Sequence, residues 1–102
     1  MSVDIFLGSP FNVASTALLT HILAKTVGLK TGEIVISMGN THIYNNHIEQ
    51  VERQLTREPF KFPKLEINKD LKSIEDIEKL QYEDFVLKDY HCWPGIKAPM
   101  AV

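Results

Sequence analysis

Val3, Ile5 and Leu7 alternate with Ser2, Asp4 and Phe6, the period-two pattern that predicts a strand over residues 2–7. Gly8 interrupts it. Ser9 is then placed to cap a helix, with Pro10 at the first helical position, where a missing N–H costs nothing. From Phe11 to Val27 apolar residues fall on nearly every helical face: Val13, Ala14, Ala17, Leu18, Leu19, Ile22, Leu23 and Ala24. A helix this apolar is expected to be surrounded by protein, and Gly28 supplies its C-terminal cap. After a turn at Lys30, Thr31 and Gly32, residues 33–38 predict a strand with Ile34, Ile36 and Met38 on one face. Gly39 and Asn40 break it, and residues 41–44 resume an extended path. Ile48, Val51 and Leu55 mark a second helix, with Glu49 and Arg53 paired outside, that must stop before Pro59. Leu65 and Ile67 predict a short strand, residues 73–80 a short helix and Phe85 with Leu87 a last strand. The tail from Pro94 to Val102 reads as irregular. The whole is mixed α+β, one domain over residues 1–102, with no linker to set off a second.

Composition changes this picture only by exclusion. A hydrophobic content of 44% and a charged content of 24% are ordinary for a globular chain. No apolar run approaches the ~20 residues that span a membrane. Lys and Arg number 11 against 13 Asp and Glu, a net charge of −2, which offers no bulk attraction for DNA or anionic lipid. Any bound phosphate must be met locally. Cys92 is the only cysteine, so no internal disulfide forms, and a cytoplasmic setting is expected. The apolar density of residues 2–7 is unlike the usual polar, frayed terminus, and the chain reads as starting inside a domain.

Chemistry-bearing residues are few. His42 and His47 are five apart, not the four of a helical metal pair, and no third ligand stands near, so no metal site is expected. Cys92 before Trp93 lacks the signature of a papain-type nucleophile and reads as an incidental thiol. His21, on the apolar helix, reads as a packed histidine. Ser2 and Asp4 share one face of a strand, as do His42 and Tyr44, so each pair either lines a cleft or faces solvent. Asn12, in the first turn of a helix, either helps to cap it or offers its amide donor and acceptor to a base edge. Arg53 and Arg57, with Glu49 and Glu52, read as a solvated face.

Four ordered stretches add a resemblance to these readings. Residues 2–12 (Ser-Val-Asp-Ile-Phe-Leu-Gly-Ser-Pro-Phe-Asn), 39–47 (Gly-Asn-Thr-His-Ile-Tyr-Asn-Asn-His), 54–59 (Gln-Leu-Thr-Arg-Glu-Pro) and 96–102 (Ile-Lys-Ala-Pro-Met-Ala-Val) resemble the thymidylate synthases. The resemblance covers essentially the whole chain. It implies part of that family's fold, a mixed sheet with a buried helix packed on it. It also implies a methyltransferase of nucleotide biosynthesis, which converts dUMP and methylenetetrahydrofolate to dTMP and dihydrofolate and works as a homodimer at full length. Carried over by position, Ser2 would hold the nucleotide phosphate, Asn12 would read the uracil edge, and His42 and Tyr44 would bind the deoxyribose 3′-hydroxyl. Asp4 would contact the folate ring system, with Leu7, Gly8, Phe11 and Ala101 as its apolar or close-approach surface.

Departures from the family pattern matter equally. The family's nucleophilic cysteine lies in a Pro-Cys-His segment with no counterpart here, so no catalytic residue is assigned. Met1 stands at a phosphate-binding arginine position, Asn40 where Asp is common, and Asp89, His91, Cys92 and Trp93 depart from the usual loop. The expectation is a C-terminal portion of a synthase that does not catalyse alone. The alternatives are one half of a split synthase and a non-catalytic module that docks on a full-length one.

Overall fold

A computed structural model describes residues 2–100, and of Ser2 only the backbone. Met1 and Ala101, and the roles read for them above, lie outside the described residues. The chain runs β1 (Ser2–Asp4), α1 (Ser9–Val27), β2 (Asn40–His42), a 3-10 turn (Asn45–His47), α2 (Ile48–Leu55), β3 (Lys64–Ile67), α3 (Ile74–Glu78), a second 3-10 turn (Tyr82–Asp84) and β4 (Phe85–Lys88). This is the predicted α+β class. The strands form two separate two-stranded sheets, β1 with β2 parallel and β3 with β4 antiparallel. Two compact units result, residues 1–15, 35–59 and 93–102 in one and 16–34 and 60–92 in the other.

In the first unit β1 is shorter than its alternation predicts, because Asp4 ends it. The Asp4 Oδ1 accepts the backbone N–H groups of Phe6 at 3.2 Å and Leu7 at 3.4 Å, a side-chain turn that competes with strand continuation. One further rung, Ile5 N–H to the His42 carbonyl at 3.0 Å, extends the ladder. The turn leads into α1, whose first intrahelical bond runs from Asn12 N–H to the Gly8 carbonyl at 3.1 Å. Ser9 is thus already helical, and Gly8 stands at the capping position expected of Ser9.

In the second unit β3 and β4 pair Leu65 with Leu87 and Ile67 with Phe85. Lys88 reaches diagonally to Glu66 at 2.9 Å on the other face. The following loop is tied by Asn68 N–H to the Asp84 carbonyl at 2.7 Å and by Lys69 Nζ to the Lys79 carbonyl at 2.7 Å. Leu71, within this loop, is buried.

Two expectations need correction. Residues 33–38 carry no regular structure. Their alternation suits a half-buried strand, but a strand also needs a partner for its backbone groups, and β1 takes β2 instead. Among the described residues nothing pairs with 33–38, and Val35 is 87% exposed. Likewise α1 forms over the predicted span but buries none of its residues. Phe11, Leu19, Leu23 and Val27 are at least half exposed, because no described element is packed over them.

The C-terminal end of α1 follows its local chemistry closely. Gly28 has φ of +73°, its N–H points to the Lys25 carbonyl at 3.4 Å, and Leu29 N–H bonds the Ala24 carbonyl at 2.9 Å, the paired bonds of a Schellman cap. Nothing lies within 4 Å of a Cβ built on Gly28, so a side chain there meets no clash, only the cost of left-handed backbone. Gly28→Ala should therefore destabilise by about 1 kcal/mol in urea unfolding followed by far-UV circular dichroism. An unchanged midpoint would show that the cap is not left-handed.

Candidate functional site

Of the polar residues singled out in the sequence, Asp4, His42 and Tyr44 come together at the parallel pair of the first unit. Its register sets Ser2 beside Asn40, Val3 beside Thr41 and Asp4 beside His42. Neighbours in register project from the same face of a sheet, so Asp4 and His42 share one. Beyond β2 the chain stays extended at Tyr44 (φ −66°, ψ 145°). The rings of His42 and Tyr44 meet edge to face at 4.5 Å between centroids. The predicted pairing of these two residues is therefore present as a direct contact.

His42 Nε2 is buried and has no hydrogen-bond partner among the described residues. A buried polar atom left unpaired costs about 1–3 kcal/mol, so a ligand hydroxyl delivered to it would recover that energy. Asp4 divides its carboxylate: Oδ1 holds the turn, and Oδ2 is the oxygen available to another group. Gly8 closes the turn onto Asp4, since a Cβ built there would sit 3.4 Å from the Asp4 carbonyl oxygen and 3.5 Å from its Cβ, ordinary contact distances. Its lack of a side chain keeps space beside Asp4 open without being sterically required. Leu7 is half-buried in the same turn. Phe11 and Asn12 follow on the first turn of α1, with Phe11 75% exposed.

His47 is the residue that sequence reasoning missed. Weighed above only as a metal ligand, it is the one fully buried side chain among the described residues. Its Nε2 lies 2.6 Å from the Pro99 carbonyl, and its ring contacts Phe6 and Tyr44, each at 5.6 Å. Its main partner is 52 residues away in the chain, so no local spacing announced it. No three His, Cys, Asp or Glu side chains among the described residues are grouped to hold a metal.

Other polar groups stand apart from this arrangement. In the second unit an open cavity of about 340 Å³ is lined by His21, Lys25, Leu65, Glu66, Ile67 and Asn68. His21 thus borders a cavity rather than a core, and Lys25 spends its ammonium on the Ile67 carbonyl. Cys92 is exposed, and its proximity to the Tyr90 hydroxyl raises the Tyr90 pKa from its ordinary value.

With the geometry in place, comparison with known families is decisive, because the family model for thymidylate synthase matches residues 1–102. The chain belongs to the thymidylate synthase family. Members are methyltransferases of dTMP biosynthesis that bind dUMP, use methylenetetrahydrofolate as co-substrate and are generally dimeric. No helix among the described residues is long and apolar enough to cross a membrane.

Asp4 supplies the test of this local geometry. Asp4→Ala removes the acceptor of two turn bonds and should cost about 1–2 kcal/mol, with faster hydrogen exchange at the Phe6 and Leu7 amides. Asp4→Asn retains an oxygen acceptor and should lose less. Equal exchange in Asp4→Ala and the parent would refute the turn.

Proposed function

We propose that this chain forms part of the nucleotide- and folate-facing wall of a thymidylate synthase that converts dUMP and methylenetetrahydrofolate to dTMP and dihydrofolate. The reading is carried by the buried, unpartnered His42 Nε2 beside the Tyr44 ring. That pair would accept and donate to the deoxyribose 3′-hydroxyl, a group that can do both. Asn12 would match the uracil carbonyl and imide N–H and reject cytosine, whose donor and acceptor are reversed. Ser2 would meet the phosphate.

Methylenetetrahydrofolate supplies the one-carbon unit and the reducing equivalents. Two features of the first unit fit it as co-substrate: the Asp4 oxygen not used by the turn and the exposed ring of Phe11. Asp4 would hold polar atoms of the pterin while Leu7, Gly8 and Phe11 offer apolar surface, with Ala101 as the outer contact. The role of all these residues is to bind, orient and exclude water.

Activation of the pyrimidine requires a thiolate that adds to the ring. The 102 residues hold no Pro-Cys-His segment, and Cys92 is a free, exposed thiol outside the unit that holds His42 and Tyr44. The nucleophile would therefore come from other polypeptide, in a cytoplasmic, homodimeric synthase, and the chain alone would not form dTMP. A second reading, one half of a split synthase, is favoured by the exposed apolar face of α1, which calls for a partner surface.

Calorimetric titration tests the binding claim. dUMP should bind, while dCMP and the 3′-deoxy analogue of dUMP should bind about tenfold more weakly, as should dUMP to His42→Ala, by loss of one buried hydrogen bond. Equal affinity for dUMP and its 3′-deoxy analogue would overturn the assignment of His42 and Tyr44. Adding a separate chain that carries the cysteine segment distinguishes the split reading, which requires dTMP to form on mixing.

A further inference from the structure

The segment from Trp93 to Pro99 is held along α2 and its flanks by a ladder of side chains that bond main-chain groups. His47 Nε2 meets the Pro99 carbonyl at 2.6 Å, Gln50 Nε2 donates to the Lys97 carbonyl at 3.4 Å, and Arg57 donates to the Pro94 carbonyl at 2.8 Å. At the root, Trp93 Nε1 donates to the Glu58 carbonyl at 2.8 Å, with the Arg57 guanidinium 5.7 Å from the indole centroid. Positions 47, 50, 57 and 58 ascend as 99, 97, 94 and 93 descend, so the segment lies antiparallel to α2.

The tail's chemistry explains this mode of attachment. Pro94 and Pro99 have no N–H, so a regular strand ladder is unavailable there and their carbonyls are the backbone groups left to bond. A carbonyl only accepts, so His47 must carry its proton on Nε2 and donate it to Pro99.

Within the ladder, His47 also touches one of the proposed nucleotide contacts. Its backbone N–H bonds the Tyr44 carbonyl at 2.9 Å. Its ring stands at 83° to that of Tyr44, which in turn meets His42. With no exposed surface, its imidazole has no room to shift independently of these neighbours. We infer that His47 is a positioning residue, the joint that couples the docked segment at Pro99 to the orientation of the Tyr44 ring. The inference rests on the proposed function only for the meaning of Tyr44; the joint itself needs no ligand.

Ring-selective isotope labelling of tyrosine tests this on the free chain, whose three tyrosines are Tyr44, Tyr82 and Tyr90. Shortening the chain to end at Ala98 should shift the Tyr44 signals and leave those of Tyr82 and Tyr90 in place. His47→Leu should shift Tyr44 likewise, and shortening in that background should add little further change. His47→Gln, which keeps a donor of similar reach but no ring, should keep the Tyr44 signals responsive to that shortening. Unmoved Tyr44 signals on shortening the otherwise unaltered chain would overturn the joint, and that comparison decides the matter even if His47→Leu does not fold. Because no nucleotide is added, failure here is distinct from failure of dUMP to bind.

Discussion

The parallel pairing of β1 with β2 is the constraint on which the first unit depends. Parallel neighbours cannot be joined by a tight hairpin, so the chain must leave β1, pass through α1 and return before Asn40 can lie beside Ser2. The ladder is only three residues long, which leaves little redundancy in its register. A one-residue slip would carry His42 to the opposite face from Asp4. Once the register holds, the rest follows from short-range geometry: Asp4 turns the chain into α1, His42 meets Tyr44, and Tyr44 meets His47.

The second determinant is apolar surface left uncovered. Moving a large apolar side chain from exposed to buried contributes about 1.5–3 kcal/mol. Phe11, Leu19, Leu23 and Val27 are all at least half exposed. What these four forgo is of the same order as the low end of a domain's net stability, about 5 kcal/mol. The 19-residue α1 therefore depends on its own backbone ladder and its Gly28 cap, and helices near this length are marginal without packing. Amphipathicity normally tells a helix which side to bury, and α1 lacks it, so covering it calls for contact on more than one side. This observation independently supports the proposal that other polypeptide completes the synthase.

The sequence was most legible where structure is decided locally. The helix from Ser9 to Val27, its glycine cap, the stripe of α2, the stop before Pro59 and the strands at Leu65 and Phe85 all rest on interactions within a few residues. Its failures share one cause. The alternation of residues 33–38 reports a preference for extended backbone but not whether a neighbouring strand exists, and the apolar faces of α1 report a demand for burial without its supply. At the candidate site, the adjacency of His42 and Tyr44 was readable from period two. The opposition of Asp4 to His42 was not, because it depends on a register between segments far apart in sequence. His47 was harder still, since its decisive partner is a backbone carbonyl and leaves no trace in residue identity.

The structural and functional readings of a residue here are less exclusive than sequence analysis makes them. Asp4 stabilises a turn through Oδ1, and that bond restricts the rotation of the carboxylate that carries the second oxygen. Asn12 closes the first turn of α1 through its backbone N–H to the Gly8 carbonyl. His47 is as buried as any core residue, yet its burial is what makes its imidazole a stiff link between Pro99 and Tyr44. In each case the local structural bond removes conformational freedom that binding would otherwise have to remove at its own expense. A residue with an evident structural role is therefore not thereby excluded from the site. When its remaining polar atom is aimed at the same face as its neighbours, that role is what makes it competent to bind.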